Sequence, residues 1–176
     1  MIDLRIAGLR ERAEAITGRA FITQTWEQVL DAFPPCTPHM GGDNSARMAD
    51  ASELSGIKLG RPPLQSVTSI KYIDENGVQQ TLDSSLYTVD KDSEPGWVFP
   101  APGQSWPATK TIQNAVRVRY VAGYGDAAAV PAAIKLWIHA HLANSYRNRE
   151  AVVVGASVAE LPYVESLLDG LRVIEL

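Results

Sequence analysis

Between residues 115 and 142 the chain changes its hydrophobic period once, and that change does most to limit the folds open to it. In 115–121 the apolar residues alternate. Val116, Val118 and Tyr120 fall on one side, Arg117 and Arg119 on the other, the signature of a strand with one buried and one wet face. After the loop AGYGDAAAV, Pro131 opens a run over 131–149. In it Ile134, Leu136, Trp137, Ile138 and Leu142 make the first half apolar around most of its circumference. Proline is favoured where a helix begins, and a helix apolar on nearly every side must be covered by a core or by a neighbouring subunit. Its last part is polar and carries Tyr146, Arg147 and Arg149.

The remaining segments arrange themselves around this pair. Residues 2–17 predict an amphipathic helix, with Ile2, Ile6, Leu9, Ala13 and Ile16 on one stripe and Gly18 placed for a left-handed cap. Residues 20–33 predict a strand with Ile22, Trp26 and Leu30 on one side, although the part after Trp26 also suits a helix. Residues 34–56 hold three prolines and Gly41-Gly42 among small polar residues, a long loop of the kind that is functional or flexible. Short strands follow at 57–59, 67–73, 78–82, 86–89 and 97–99, with Asn76-Gly77 at a hairpin turn. A β-prone run at 151–154 ends at Gly155, and a last short helix begins near Pro162. Ser157 and Glu160 have capping-box spacing before it. There is no internal repeat. The expected fold is α+β: an N-terminal helix, a β-rich antiparallel middle and C-terminal helices, in one domain over 1–176.

Composition removes several classes of function. The 176 residues are 45% hydrophobic and 20% charged, which suits a folded domain with a real core. A net charge of −4 gives no basic field to hold nucleic-acid phosphates, and a mildly acidic surface lets a polyanion slide past. No apolar run approaches the roughly 20 residues of a membrane-spanning helix, so no membrane partner is expected. The charged N-terminal segment does not read as a secretory signal. The single cysteine, Cys36, excludes an intrachain disulfide and suits a reducing cytoplasm.

No motif in the chain calls for catalytic chemistry. Gly123-Tyr124-Gly125 follows a strand but lacks the third glycine of a phosphate-cradling loop, so it reads as a strand-to-helix turn. His139 and His141 stand two apart on a predicted helix, on nearly opposite faces, and cannot grip one metal within one subunit. Cys36 and His39 form a lone weak pair in a loop. Asp90, Asp92 and Glu94 lack the glycine and terminal glutamate of a calcium loop and read as a solvated turn. Trp97 and Trp106, among Pro and Gly, could make a sugar- or peptide-binding platform, but suit satellite core packing better. Arg117 and Arg119 could touch DNA phosphate, yet two arginines on a wet face are ordinarily just solvated. No serine sits in a nucleophile elbow. The expectation is a protein with no catalytic residue, no metal and no cofactor.

Several segments, in order, resemble one family. EAITGRAFITQTWEQVLDAFP, RPPLQSVTSIKYID, GVQQTLDSSLYTVD, PGQSWPAT, NAVRVRYVAGYGDAAAVPAAIKLWI, NREAVVVG and ELPYVESLL together are similar to tailed-bacteriophage head–tail connector (adaptor) proteins. They cover nearly the whole chain except 34–56. The resemblance implies a structural virion subunit, not an enzyme, in a closed head-to-tail ring of about a dozen copies. It implies a ring below the portal protein, above a stopper or tail-completion protein, with double-stranded DNA passing through without specific binding. It implies assembly in a bacterial cytoplasm and residence in the virion neck. Such proteins usually carry a further helical segment before the one that begins here at Ile2, so a downstream start codon, or a helical core completed by a neighbour, is expected. Loop 34–56 is longer than the family leads one to expect. A stopper or tail-completion role in the same neck is the nearest alternative, and a small ligand-binding domain or enzyme using the Trp97/Trp106 region the alternative from another class.

Two sets of contact residues follow. The helix over 131–149 and the N-terminal helix present more apolar surface than a small β-rich core hides, which points to Ile134, Trp137, Ile138, Arg147, Arg149 and Glu150 at the subunit interface. The segment after Gly155 puts Leu161, Tyr163, Val164, Leu167 and Leu168 on a helix of about two turns, too short to stand alone in water. On a tether such a helix commonly lays its apolar face into a groove, and connectors use this region against the portal. These five residues are the candidates for portal docking, the alternative being that the helix packs back on its own core.

Overall fold

The computed structural model describes residues 2–35, 55–147, 164 and 166–173. The fold is α+β, with a helix, a β middle and a second long helix in that order. The chain forms two compact units: a helical unit from residues 1–23 and 124–176, and a β unit from 24–123.

In the helical unit, α1 (Ile2–Thr17) ends where the sequence predicts. Gly18 takes φ +71 and its N–H closes on the Glu14 carbonyl at 2.9 Å, a left-handed cap that only glycine adopts without strain. The second helix, α2 (Ala132–Arg147), starts one residue later than expected. Pro131 stands just outside it, its carbonyl accepting from Ile134 and Lys135. Between the helices lies a core of Ala13, Phe21, Val130, Ile134, Trp137, Val164 and Leu168. The far end of the chain returns to α1: Val173 N–H donates to Thr17 O at 2.9 Å, and Arg19 Nε donates to Leu171 O at 2.6 Å.

The β unit contains two antiparallel sheets. One has four strands in the order β1 (Gln24–Leu30), β7 (Val116–Ala122), β3 (Leu64–Ile73) and β4 (Gln79–Thr81). The other has β2 (Ile57–Lys58), β6 (Trp97–Pro100) and β5 (Tyr87–Asp90). Strand β7 is central and alternates as read: Val116, Val118, Tyr120 and Ala122 are buried, Arg117 and Arg119 exposed. Gln28 ties the sheets together, donating to Lys58 O and accepting from Gly60 N–H, and the Tyr120 hydroxyl donates to Gly60 O.

Three local expectations are corrected. The first strand is shorter than 20–33, because residues 20–23 belong to the helical unit. There Phe21 is buried, Ile22 packs on the helical core, and the chain pairs through Tyr124 N to Phe21 O and Thr23 N to Gly125 O. At the hairpin turn only Gly77 takes a positive φ, +84, and Asn76 does not. The Asp74 carboxylate holds this turn instead, accepting from the N–H groups of Asn76 and Val78. Two residues of the C-terminal apolar stripe, Val164 and Leu168, are buried in the helical core and so are not open for docking, while Leu161 and Tyr163 lie outside the described residues. A short amphipathic helix has its nearest apolar surface on its own domain, and burial there removes those side chains from water at once.

Candidate functional site

Among the described residues, the helical unit carries a groove that could bind a partner. This groove of about 330 Å³ runs between α1 and α2 and is closed at one end by the stretch around Ala127 and Val130. Helix α1 supplies Ile6 and Arg10, and α2 supplies Ile134, Lys135, Ile138 and His139. The floor is apolar and the rim basic. Arg10 lies 3.9 Å from the Glu14 carboxylate and 4.0 Å from that of Glu11, so its charge is offset locally. Lys135 spends one of its three donors on Ala128 O, at 2.9 Å. Arg5 joins the two helices, donating to Ser145 O and Oγ with its guanidinium 5.6 Å from the Tyr146 ring centroid.

Around this groove the helical unit exposes large apolar side chains. Leu4 is 78% exposed and Leu136 54%, with Ile2, Ile6 and Tyr146 also open to solvent. Of these side chains the sequence reading named all but Leu4, and it did not pick out the groove. The signal was present in Leu4, which lies off the stripe of Ile2, Ile6 and Leu9.

The residues expected at the subunit interface separate. Ile134 and Trp137 are fully buried in the chain's own core and have no surface to give a neighbour. The small helical core needs both of them to fill it. Ile138 is half-buried and lines the groove. Arg147 closes α2, while Arg149 and Glu150 lie outside the described residues. Among the portal candidates, Val164 and Leu168 are core, Leu167 packs partly exposed against that core, and Leu161 and Tyr163 lie outside the described residues.

The other candidates take structural places. Trp106 stacks on Phe33 with ring centroids 4.8 Å apart and donates from Nε1 to Ser55 O at 2.6 Å, while Trp97 stacks on Phe99. The tryptophans are thus satellite packing, not an open platform. Arg117 pairs with Glu27 across β7 and β1 at 2.9 Å, and Arg119 is exposed. His139 is exposed at the groove, whereas the His141 ring lies 4.0 Å from that of Trp137. Asp90 accepts from the N–H groups of Asp92 and Ser93 and from Ser93 Oγ, which closes a solvated turn and holds its carboxyl below the ordinary range. Burial raises the Tyr120 phenol above its usual value, against the opposing charge of Arg61. Cys36 and His39 lie outside the described residues. Among the described residues no three His, Cys, Asp or Glu side chains converge, and no helix is long and apolar enough to cross a membrane.

No protein-family model matches the chain, and no curated protein does. Solved structures do. A protein in the neck of a native gene transfer agent particle, computed with C12 symmetry, superposes with a TM-score of 0.71 at 18% identity, covering 99% of this chain and 83% of its own. One in the neck of an empty particle, computed with C6 symmetry, gives 0.70 at 17% identity, covering 99% of this chain and 78% of its own. A third, in the virion of the native particle, gives 0.72 at 18%, with 99% and 78% covered. At these identities the likeness is one of fold, and it takes in helices and sheets alike: this chain has the fold of proteins in the neck of a gene transfer agent particle.

Proposed function

We propose that this chain is a structural subunit of the neck of a tailed, phage-like particle. It acts there as a head–tail connector (adaptor), closing into a ring below the portal through which double-stranded DNA passes. The observation that carries this reading is the fold likeness to gene transfer agent neck proteins over 99% of the chain. The ordered sequence resemblance to connectors points the same way. The C12 and C6 symmetries of those necks are cyclic, and a cyclic ring needs head-to-tail contacts between two different faces of each subunit.

A subunit of this kind works through surfaces and not through a reacting centre. Within this reading Ile138, Arg147, Arg149 and Glu150 remain the candidates for contact between copies, and Leu161, Tyr163 and Leu167 for contact with the portal. The partners are copies of the chain itself, the portal on one side and a stopper or tail-completion protein on the other. Native mass measurement and electron micrographs of the purified chain, alone and mixed with its portal, test the proposal. The expected result is a ring of about a dozen subunits that caps the portal. A ring that ignores the portal but binds tail-side components would move the chain to the stopper position. A monomer indifferent to both would overturn the reading.

A further inference from the structure

We infer that the groove between α1 and α2 receives Leu4 of the next copy of this chain, an assignment that rests on the ring proposed above. Each helical unit then donates a leucine from one face of α1 and accepts one beside the other face. Ile6 and Arg10, four residues apart, line the groove. Leu4 precedes Ile6 by two residues, which turns it about 200° around the helix axis, away from the groove. Among the described residues it is the most exposed of the large apolar side chains, at 78%.

A leucine on the far side of its own helix cannot fill that groove within one chain, but the leucine of a neighbour can. A surface and its complement on different faces of one molecule make a heterologous contact, the kind that closes into a ring. Gly8 lies one turn on from Leu4, exposed, and a Cβ built there meets nothing within 4 Å. The fold of the chain itself therefore gives no reason for a residue that costs about 1 kcal/mol against alanine inside a helix. A bare helix face beside Leu4 lets another backbone come close.

Charge fits the same occupant. Asp3, next to Leu4, is exposed and has no ion-pair partner among the described residues. The groove rim offers Lys135, which likewise has no acidic partner among the described residues, with His139 beside it and Arg10 already offset by Glu11 and Glu14. The groove's size is at the low end for a small-molecule site, and its lining is apolar apart from Arg10, Lys135 and His139. One apolar side chain flanked by a carboxylate suits it better.

The test uses the full chain with Cys36→Ser, which removes the native thiol. Leu4→Cys combined with Ala127→Cys, at the groove's end, should give on mild oxidation a ladder of disulfide-linked chains that stops at the ring's subunit number. Leu4→Asp should lose the ring, weakening each contact about ten- to a hundredfold, while circular dichroism and melting temperature stay unchanged. Asp3→Lys should weaken the ring, and Lys135→Asp added to it should restore assembly, which a merely structural role for either residue does not predict. If the unmodified chain forms rings but Leu4→Asp rings are equally stable and no ladder forms, the contact is wrong and the ring stands. If the unmodified chain forms no ring alone or with its portal, both fall.

Discussion

Glu14 is buried in the last turn of α1, and its Oε1 accepts from the Phe21 N–H at 2.8 Å. That N–H has lost its water, so removing the acceptor leaves a buried donor unsatisfied, a cost of about 1–3 kcal/mol. Glu14→Ala should therefore lower the stability of the chain by that amount in urea titrations; an unchanged midpoint would show that the bond contributes little. The exposed turns behave differently. Asp74 is held below its ordinary value of 3.8 chiefly by the Gln80 side-chain amide, and then by backbone N–H groups led by that of Val78. Asp83 is lowered first by the Ser85 N–H, and Asp90 by the Ser93 hydroxyl. A carboxyl depressed on folding stabilises the fold above its unfolded pKa, and that contribution is lost as pH falls through the folded value. Carbon-detected NMR titration should place all three midpoints below 3.8, with the turn amides loosening only below that pH. Midpoints at or above it would mean that these turn bonds do not form in solution.

At the scale of elements, one side chain links two stretches far apart in sequence. Phe33 stacks on Trp106, and Ser55 accepts the Trp106 indole N–H. Trp106→Ala should cost the β unit about 2–4 kcal/mol, since it removes a large aromatic contact and a hydrogen bond together. Hydrogen exchange should quicken at Phe33 and at residues 55–57 and leave β7 protected; protection unchanged at both places would remove Trp106 from this role. This arrangement was not legible in the sequence, because Phe33, Ser55 and Trp106 are far apart along the chain and share no period. What was legible has a local cause. Alternation in β7, the stripe of α1, Gly18 at its cap and Pro131 beside the start of α2 each follow from neighbouring residues. Apolarity around α2 said that Ile134 and Trp137 must be covered, but periodicity cannot tell a chain's own core from a neighbour's. The same limit applies to Val164 and Leu168, which proved to be core. The groove was hidden for a related reason: it is defined by the space between two helices distant in sequence.

At the scale of the whole molecule, the proposed passage of DNA through a ring would set an electrostatic condition. Each subunit carries a net charge of −4, so a ring of about a dozen carries roughly fifty negative charges in excess. Stable binding to duplex DNA draws its free energy mainly from counterions released when lysine and arginine neutralise phosphates. Such a ring has little to offer unless its basic residues are gathered on the lumen. The β unit does not gather them freely: Arg117 is engaged by Glu27 at 2.9 Å, with both side chains about half exposed. A pair of this kind presents a dipole to a passing phosphate in place of a full positive charge. The assembled ring should therefore fail to retain linear duplex DNA on filters at about 150 mM salt. Between about 50 and 200 mM it should show almost no salt dependence, where a protein contacting 6–10 phosphates loses about a thousandfold or more. Glu27→Gln would free Arg117 in every subunit at once. If β7 faces the channel, that change alone should produce weak, salt-sensitive retention; if β7 faces outward, the variant ring should pass DNA like the parent. Steep salt-dependent retention by the parent ring would instead mean that unpaired arginines, Arg119 among them, crowd the channel, and the low-friction lumen would have to be given up.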